Sequence, residues 1–363
     1  MSQLGLGMEP DTGSSRRRER PQRSGARPVL VAVAALLAIG LAVFLGLRSL
    51  GGASGQDFQG EGDGSATVVV AKGDSLRQIG KSLADAGVVA DEASFVDAAS
   101  GDPLAQSIAP GTYTLHQHMS GAAAVALMLD PSSRQVKKLA IPEGWRMERI
   151  VTAAAKATGL STAAIKESLS RAGTLGLPAY AEGSAEGFLF PATYDFQPGV
   201  TADQVVTAML KRFDQAAADA DLEAAAKAVG RTPLEIVTVA SILEIEGAPA
   251  DYDKVARVLY NRLDKGMRLQ LDSTVNYALG LASLHLTSAQ LKTDSPYNTY
   301  VTKGLPPGPI NSPGDAALQA ALNPADGPWL YFVTTDPKTK KTEFATTYDQ
   351  FLVLKKKFQA NAG

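Results

Sequence analysis

Two carboxylates close the apolar run SILEIEG at residues 241–247: Glu244 and Glu246, one isoleucine apart and followed by Gly247. An acid carried into apolar surroundings keeps its proton to higher pH, and a carboxyl protonated near neutrality can serve as a general acid. The preceding residues decide how the pair is presented. In RTPLEIVTVASILEIEGAP, Thr232 is placed to cap a helix, Pro233 fits its first turn, and Glu235 completes a capping box. The helix is expected to run to about Glu246 and stop at Gly247. Apolar residues occur all round it, at Leu234, Ile236, Val237, Val239, Ile242, Leu243 and Ile245, as in a central rather than a surface helix. Residues two apart on a helix point about 200° away from each other, so the two acids cannot share one cleft. Glu246 continues the face of Val239 and Ile242 and flanks Leu243, whereas Glu244 shares its side with Val237, Ala240 and Ser241. Burial and the negative end of the helix both raise the pKa of Glu246. Gly247 leaves room for a bulky ligand beside the backbone. A glutamate at a helix end also pairs readily with arginine, and Arg257, Arg262 and Arg268 follow downstream. Glu244 reads as such a partner, or as a group that orients the site.

The rest of the chain must carry this helix. Its 363 residues are enough for two compact domains with extensions. Near the N-terminus, Val29 to Leu47 is an uncharged apolar run long enough to cross a bilayer. Directly before it the stretch RRRERPQRSGARP sets Arg16, Arg17, Arg18, Arg20, Arg23 and Arg27 against one acid, Glu19. Basic flanks stay on the cytoplasmic side, which predicts a single-pass anchor with everything after Arg48 outside. A cleaved signal peptide competes with this, but the run is long for a signal core and no clear cleavage site follows. The chain has 35 basic and 37 acidic residues; the first 48 residues hold seven and three of them, leaving 28 and 34 outside, a formal −6. That acidic balance argues against nucleic acid or anionic lipid as a partner of the outer part. With no cysteine, thiolate metal sites and cysteine nucleophiles are excluded. No metal or cofactor is called for, and the HQH at 116–118 reads as a solvated strand end.

The predicted class is α+β: a single N-terminal transmembrane helix, a small α+β subdomain and a larger α+β catalytic domain. Residues 1–28 form the basic cytoplasmic tail, 29–47 the membrane helix and 48–65 a Gly/Ser/Asp-rich linker. Residues 66–180 form a first region, expected to bind glycan on a resemblance given below, and 181–363 the catalytic domain. In the first region a strand through Val68, Val69 and Val70 leads by the turn Lys72-Gly73-Asp74 to a helix capped by Ser75, with Leu76, Ile79, Gly80 and Leu83 as its apolar stripe. Gly111–Ser120 suggests a further strand. The passage from Val136 to Leu160 repeats the plan, with a strand to Ile141, a turn at Pro142-Glu143-Gly144 and a helix carrying Met147, Ile150 and Val151. VVVAKGDSLRQIGKSLA resembles the first half of a LysM module, a βααβ unit that binds N-acetylglucosamine-containing glycans; local strand–helix packing without a ligand is the other reading. Phe188, Phe190, Tyr194 and Phe196 of AEGFLFPATYDF read as core, ahead of helices near 202–214 and 222–229.

Four further stretches extend the pattern around Glu246: EGFLFPATYDF, DKVARVLYNRLDKGMRLQLDSTVNYALG, SPYNTYVTKGLPPGPINSPGDAALQAALNP and WLYFVTTDPKTKKTEFATTYDQF, together with SILEIEG itself. In this order they resemble the MltG (YceG-like) family of endolytic murein transglycosylases, from about Val68 to the end. The resemblance implies that the second acid of the E-x-E stretch, Glu246, is catalytic. It implies cleavage within peptidoglycan strands at the β-1,4 bond from N-acetylmuramic acid to N-acetylglucosamine, leaving 1,6-anhydro ends. It also implies partnership with peptidoglycan synthases at the cytoplasmic membrane.

The residue types suit that chemistry. A hydrolase usually needs two carboxylates flanking the bond; Asp272, Glu186 and Asp195 are the candidates for a second. Sugar hydroxyls call for neutral polar groups and aromatic faces. Gln270 is the first candidate, then Tyr297 and Asn298, with Tyr277 and Tyr300 behind them. Gln270 also reads as a turn amide and Asn298 as a loop cap. Arg262 and Arg268 read as guides for an anionic stem peptide, or as partners of Glu244 and Asp264. Gly304–Ile310 reads as a rigid wall of the cleft. The alternative function is a membrane-anchored, non-catalytic glycan-binding scaffold.

Overall fold

In a computed structural model the protein is described over residues 56–361, residues 284, 337 and 340 excepted. The basic tail, the apolar run and the first part of the expected linker, to residue 55, lie outside the described residues. Among the described residues no helix is long and apolar enough to cross a membrane.

The first unit comprises β1 (Asp63–Val70), α1 (Leu76–Asp85), α2 (Glu92–Ser100), β2 (Gly111–Gln117), α3 (Gly121–Leu129) and the two-residue β3 (Arg134–Gln135). Strand order is β1-β2-β3, antiparallel throughout, with Val68 opposite Tyr113. Alternation places Val68 and Val70 inside and leaves Val69 63% exposed, as the period of a half-buried strand requires. β1 begins at Asp63, so the expected linker ends earlier than 65. Ser75 caps α1 in a capping box with Gln78, and Ile79, Gly80 and Leu83 turn inward. The run β1-α1-α2-β2 is thus a β-α-α-β arrangement around its own small core, centred on Leu83, Phe95 and Leu115.

The second unit begins with β4 (Lys137–Ala140), α4 (Met147–Thr158), α5 (Thr162–Ser170) and β5 (Thr193–Phe196). It continues with α6 (Ala202–Asp219), α7 (Leu222–Ala228), α8 (Pro233–Glu246), α9 (Tyr252–Asp264), α10 (Asp272–Ala278) and α11 (Asp315–Leu322). A terminal hairpin of β6 (Tyr331–Asp336) and β7 (Lys341–Ala345) carries α12 (Tyr348–Asn361). The passage over 137–158, expected within residues 66–180, does not belong to the first core. Its strand β4 pairs with β5, Leu139 opposite Tyr194, so its partner lies beyond position 180. Leu139, Ile141, Ile150 and Val151 accordingly join Phe188, Phe190, Tyr194 and Phe196 in the larger core. The two cores divide between Met128 and Leu139.

At the centre of the larger core is α8. Its start is the expected capping box, with Thr232 Oγ1 accepting from the Glu235 N–H, Glu235 accepting from Thr232, and Pro233 in the first turn. Eight consecutive residues, Ile236 to Leu243, are buried. The two hydroxyls among them are satisfied within the helix: Thr238 donates to the Leu234 carbonyl and Ser241 to the Thr238 carbonyl, each at 2.7 Å. Helices α9 and α11 pack against it, and loop residue Gly187 comes close to Val237. Gly187 has a φ of +88°, and a Cβ there would overlap the ring of Pro309. Only glycine lets this loop pass between α8 and the 304–310 segment. Gly187→Ala is therefore expected to cost about 2–3 kcal/mol through strain and overlap, seen as a lowered Tm; an unchanged Tm would refute the close approach.

Candidate active site

The C-terminal part of α8 is held by two backbone N–H groups and one side-chain amide of the 310–314 segment. Ile310 N–H donates to Ser241 Oγ at 3.0 Å, and Asn311 Nδ2 donates to the Ser241 carbonyl at 2.7 Å. Gly314 N–H donates to Glu244 Oε1 at 2.9 Å, while the Tyr252 hydroxyl donates to Oε2 at 3.1 Å. The same segment exchanges two 2.9 Å backbone bonds with the turn before α4, Gly144 to Ser312 and Ser312 to Trp145. Glu244 is thus occupied in binding a loop to the helix. Burial raises its pKa, and the charge of nearby Glu143 adds to that.

Among the described residues no arginine pairs with Glu244, contrary to one of the sequence readings. Arg257 Nε donates to the Ala325 carbonyl, and Arg262 donates to the carbonyls of Leu330, Arg268 and Leu269. Arg262 is buried and closed off by these bonds, which also removes it as a guide for a substrate. Asp264, the other suggested partner of these arginines, pairs with Arg231.

Glu246 faces other neighbours. Its half-buried side chain accepts a long 3.4 Å bond from the Ser273 N–H at the start of α10. Burial raises its pKa first; Ser273 acts in the opposite direction, and the charge of Asp272 raises it again. Asp272 is itself exposed and accepts from the Tyr300 hydroxyl at 2.6 Å. Position in the last helical turn adds to the same trend, because the unpaired carbonyls there repel a carboxylate. The arrangement suits a proton donor.

The segment leading into α10 places the sequence-predicted polar residues. Gln270 N–H donates to the Thr299 carbonyl at 3.1 Å, and Leu271 N–H to Thr299 Oγ1 at 2.9 Å. Gln270 has a left-handed φ of 55° and an exposed side chain, two residues from Asp272. Tyr300 stands over the same segment through its bond to Asp272. Asn298 is fully buried. Its Nδ2 donates to the carbonyls of Leu291 and Thr293, and its Oδ1 accepts from Tyr300 N–H, so its amide organises the loop. Tyr297 packs on Tyr277 with ring centroids 4.7 Å apart, on the side of Glu186. Glu246, Asp272 and Tyr300 therefore come together, with Gln270 on the segment that precedes Asp272, while Tyr297 and Asn298 make their contacts with Tyr277 and with the 291–300 loop.

A groove of 820 Å³ runs beside this end of α8, lined by Ile245 and Ser273 on one wall and Trp145, Arg149 and Lys156 on the other. Ile245, expected in the core, is 53% exposed and projects from between the two glutamates. Asn311 Oδ1 and Ser273 Oγ, both of residues lining this groove, are buried without a hydrogen-bond partner among the described residues. A neighbouring cavity of 880 Å³ shares Arg146 with it and is lined by Glu186 and Tyr277. Glu186 accepts from Met147 N–H at 2.9 Å and from the Tyr277 hydroxyl at 3.3 Å. Burial pushes its pKa to about 7 against the pull of these bonds and of Arg146. Asp195 lies apart, on β5 opposite Lys138, beside a 240 Å³ cavity between the two units. Sequence reasoning passed over Trp145, Arg149, Lys156, Ile245, Ser273 and Asn311. The signal for three of them was present in EGWRMERIVTAAAKA, where Arg149 and Lys156 lie two turns apart, but the stretch was read only as a repeat of the first unit.

The model of the YceG-like family matches residues 68–357 of this chain. A Bacillus subtilis (strain 168) protein named endolytic murein transglycosylase is 41% identical over 150 residues, 41% of this chain and 41% of that protein. A Streptococcus pneumoniae (serotype 2, strain D39) protein of the same name is 29% identical over 338 residues, 81% of this chain and 60% of that one. The matches thus span only 41% and 60% of the lengths of these curated relatives. The crystal structure of a YceG-like protein from Listeria monocytogenes matches with a TM-score of 0.55 at 31% identity, covering 80% of this chain and 99% of that one.

Glu186 offers a test of the site's electrostatics. Its carboxyl moves from 4.5 to about 7 on folding. Below the lower value both states are protonated and the group is neutral to stability. Between the two the unfolded chain ionises and the fold does not, so stability falls with rising pH and levels off above about 7. The full contribution is about 3 kcal/mol. Glu186→Gln should flatten part of the decline in Tm between pH 5 and 8; an unaltered decline would show that Glu186 ionises normally.

Proposed function

From the premise that the chain belongs to the YceG-like family, we propose that it is a membrane-anchored endolytic lytic transglycosylase that cuts peptidoglycan strands at the β-1,4 bond between N-acetylmuramic acid and N-acetylglucosamine. The observation that carries this reading is the Glu246 carboxyl, desolvated on the last turn of α8 with its pKa raised, next to a groove large enough for saccharide. Protonated Glu246 gives its proton to the glycosidic oxygen while the muramoyl ring flattens towards an oxocarbenium ion. The carboxylate so formed then takes the proton of the muramoyl 6-hydroxyl as that oxygen bonds to its own anomeric carbon. One C–O bond breaks and one forms, the proton returns to the enzyme, and water takes no part. Asp272, held by Tyr300, contributes negative charge on the Glu246 side, and the exposed amide of Gln270 is available to sugar hydroxyls.

The remaining parts serve the same task. The apolar run at 29–47 anchors the chain in the cytoplasmic membrane with the catalytic unit outside. There it works beside peptidoglycan synthases and ends nascent strands. The β-α-α-β unit that begins at Asp63 contacts the glycan as a LysM-like module.

Incubating the protein with purified peptidoglycan and analysing the fragments by mass spectrometry checks the reading. It predicts 1,6-anhydro-muramoyl ends, and their loss by a factor of about 10² to 10⁴ in Glu246→Gln, the scale of general acid catalysis, with an unchanged circular dichroism spectrum. Reducing ends would identify a hydrolase, and full activity of the variant would remove Glu246 from the chemistry.

A further inference from the structure

The 820 Å³ groove is lined by Ile245 and Ser273, the chain neighbour and the hydrogen-bond donor of Glu246, and its α4 side has no role in the chemistry at Glu246. Arg146, Arg149, Ala153 and Lys156 all line it, at helical spacings of three, four and three residues, which is one continuous stripe. At 1.5 Å per residue the stripe from Arg146 to Lys156 is about 15 Å long, the reach of an extended peptide of four or five residues. Its cations are not equally committed. Arg146 donates to the carbonyls of Asn276 and Leu281. Arg149 lies 4.0 Å over the Trp145 ring and has no carboxylate partner among the described residues, and Lys156 has no partner there at all. Glu148 is the one acid lining the groove. This cationic wall belongs to an outer portion whose formal charge is −6, so it runs against the general charge of the protein. Buried Arg262 cannot supply such a contact.

We propose that Arg149 and Lys156 form a carboxylate-binding subsite for the anionic stem peptide borne by a muramoyl residue next to the cleaved bond. The lactyl-linked peptide leaves the sugar on the α4 side and lies along the stripe. Its carboxylates meet the two free cations, and its apolar side chains meet Ile245 and Trp145. The subsite makes the enzyme prefer strands that still carry peptides over stripped ones. The proposal rests on the transglycosylase reading.

The test uses the full-length protein and two glycan preparations, uncross-linked strands bearing stem peptides and the same strands stripped by an amidase. The Arg149→Gln/Lys156→Gln double variant is expected to lose about tenfold in kcat/KM on peptide-bearing strands, through KM, the equivalent of two exposed charge contacts. Its value on stripped strands should move less than twofold, and Arg149→Lys should restore most of the loss. The preference of the unaltered protein should also weaken as salt is raised. Equal activity of the double variant and the unaltered protein on both strands, or an equal loss on both, would overturn the subsite. Failure of the unaltered protein to make anhydro ends from either preparation would instead overturn the parent reading, and this one with it.

Discussion

A helix buried on every side has to end somewhere, and α8 ends in a carboxylic acid. That constraint organises the larger unit. From Ile236 to Leu243 the helix meets only protein, and the free carbonyls of its last turn repel negative charge. An acid placed there either pairs with a cation or keeps its proton. Among the described residues no arginine pairs with either acid: Arg257 and Arg262 are turned onto backbone carbonyls instead. Both glutamates consequently have raised pKa values, and hydrogen bonding separates their tasks. Glu244 accepts two bonds from well-placed donors and fastens a loop. Glu246 accepts one long bond and is left available.

The polar residues around the site follow the same division between holding and acting. Asn298 and Arg262 are buried, and each satisfies several backbone groups that would otherwise be unpaired inside the protein. Such groups are expensive to remove, since a buried donor or acceptor without a partner costs about 1–3 kcal/mol. Gln270, Asp272 and Tyr300 sit on the segment those residues hold in place. Its left-handed backbone at Gln270 is the kind of local strain that persists only when neighbouring bonds over-determine it. Here the two bonds to Thr299 do so.

The local code of the sequence was legible where the physics is local. The capping boxes at Thr232 and the cap at Ser75, the alternation of Val68 to Val70, the aromatic core at 188–196 and the divergence of Glu244 and Glu246 all depend on residues a few positions apart. What could not be read were the meetings across the chain. The 137–158 passage looked like a copy of the first unit because strand, turn and helix recur there. Its allegiance is set by pairing with β5 over fifty residues later, which no local pattern encodes. Asn298 and Arg262 have the composition of binding residues, and only burial distinguishes a group that organises a loop from one that meets a ligand. Ile245 shows the converse: its position in an apolar run predicted the core, but the helix has already left the core by its last turn.

The distribution of charge gives the site its final restriction. A general acid near neutrality must be kept from cations, which would strip its proton, whereas an anionic polymer needs cations to be held. In the proposed reaction these two demands would fall on different helices. The groups that shift Glu246 are its own burial, Ser273 and Asp272, with no lysine or arginine among them. The free cations of the groove stand on α4, across Ile245 and Ser273. Glu186 marks the contrast, since it lies within the field of Arg146 and is pulled down by it. The bonds that join Gly144 and Trp145 to Ser312 then acquire a clear physical consequence. They fix the start of α4 to the segment that also holds α8, so the cationic stripe and the end of α8 are tied to one piece of chain.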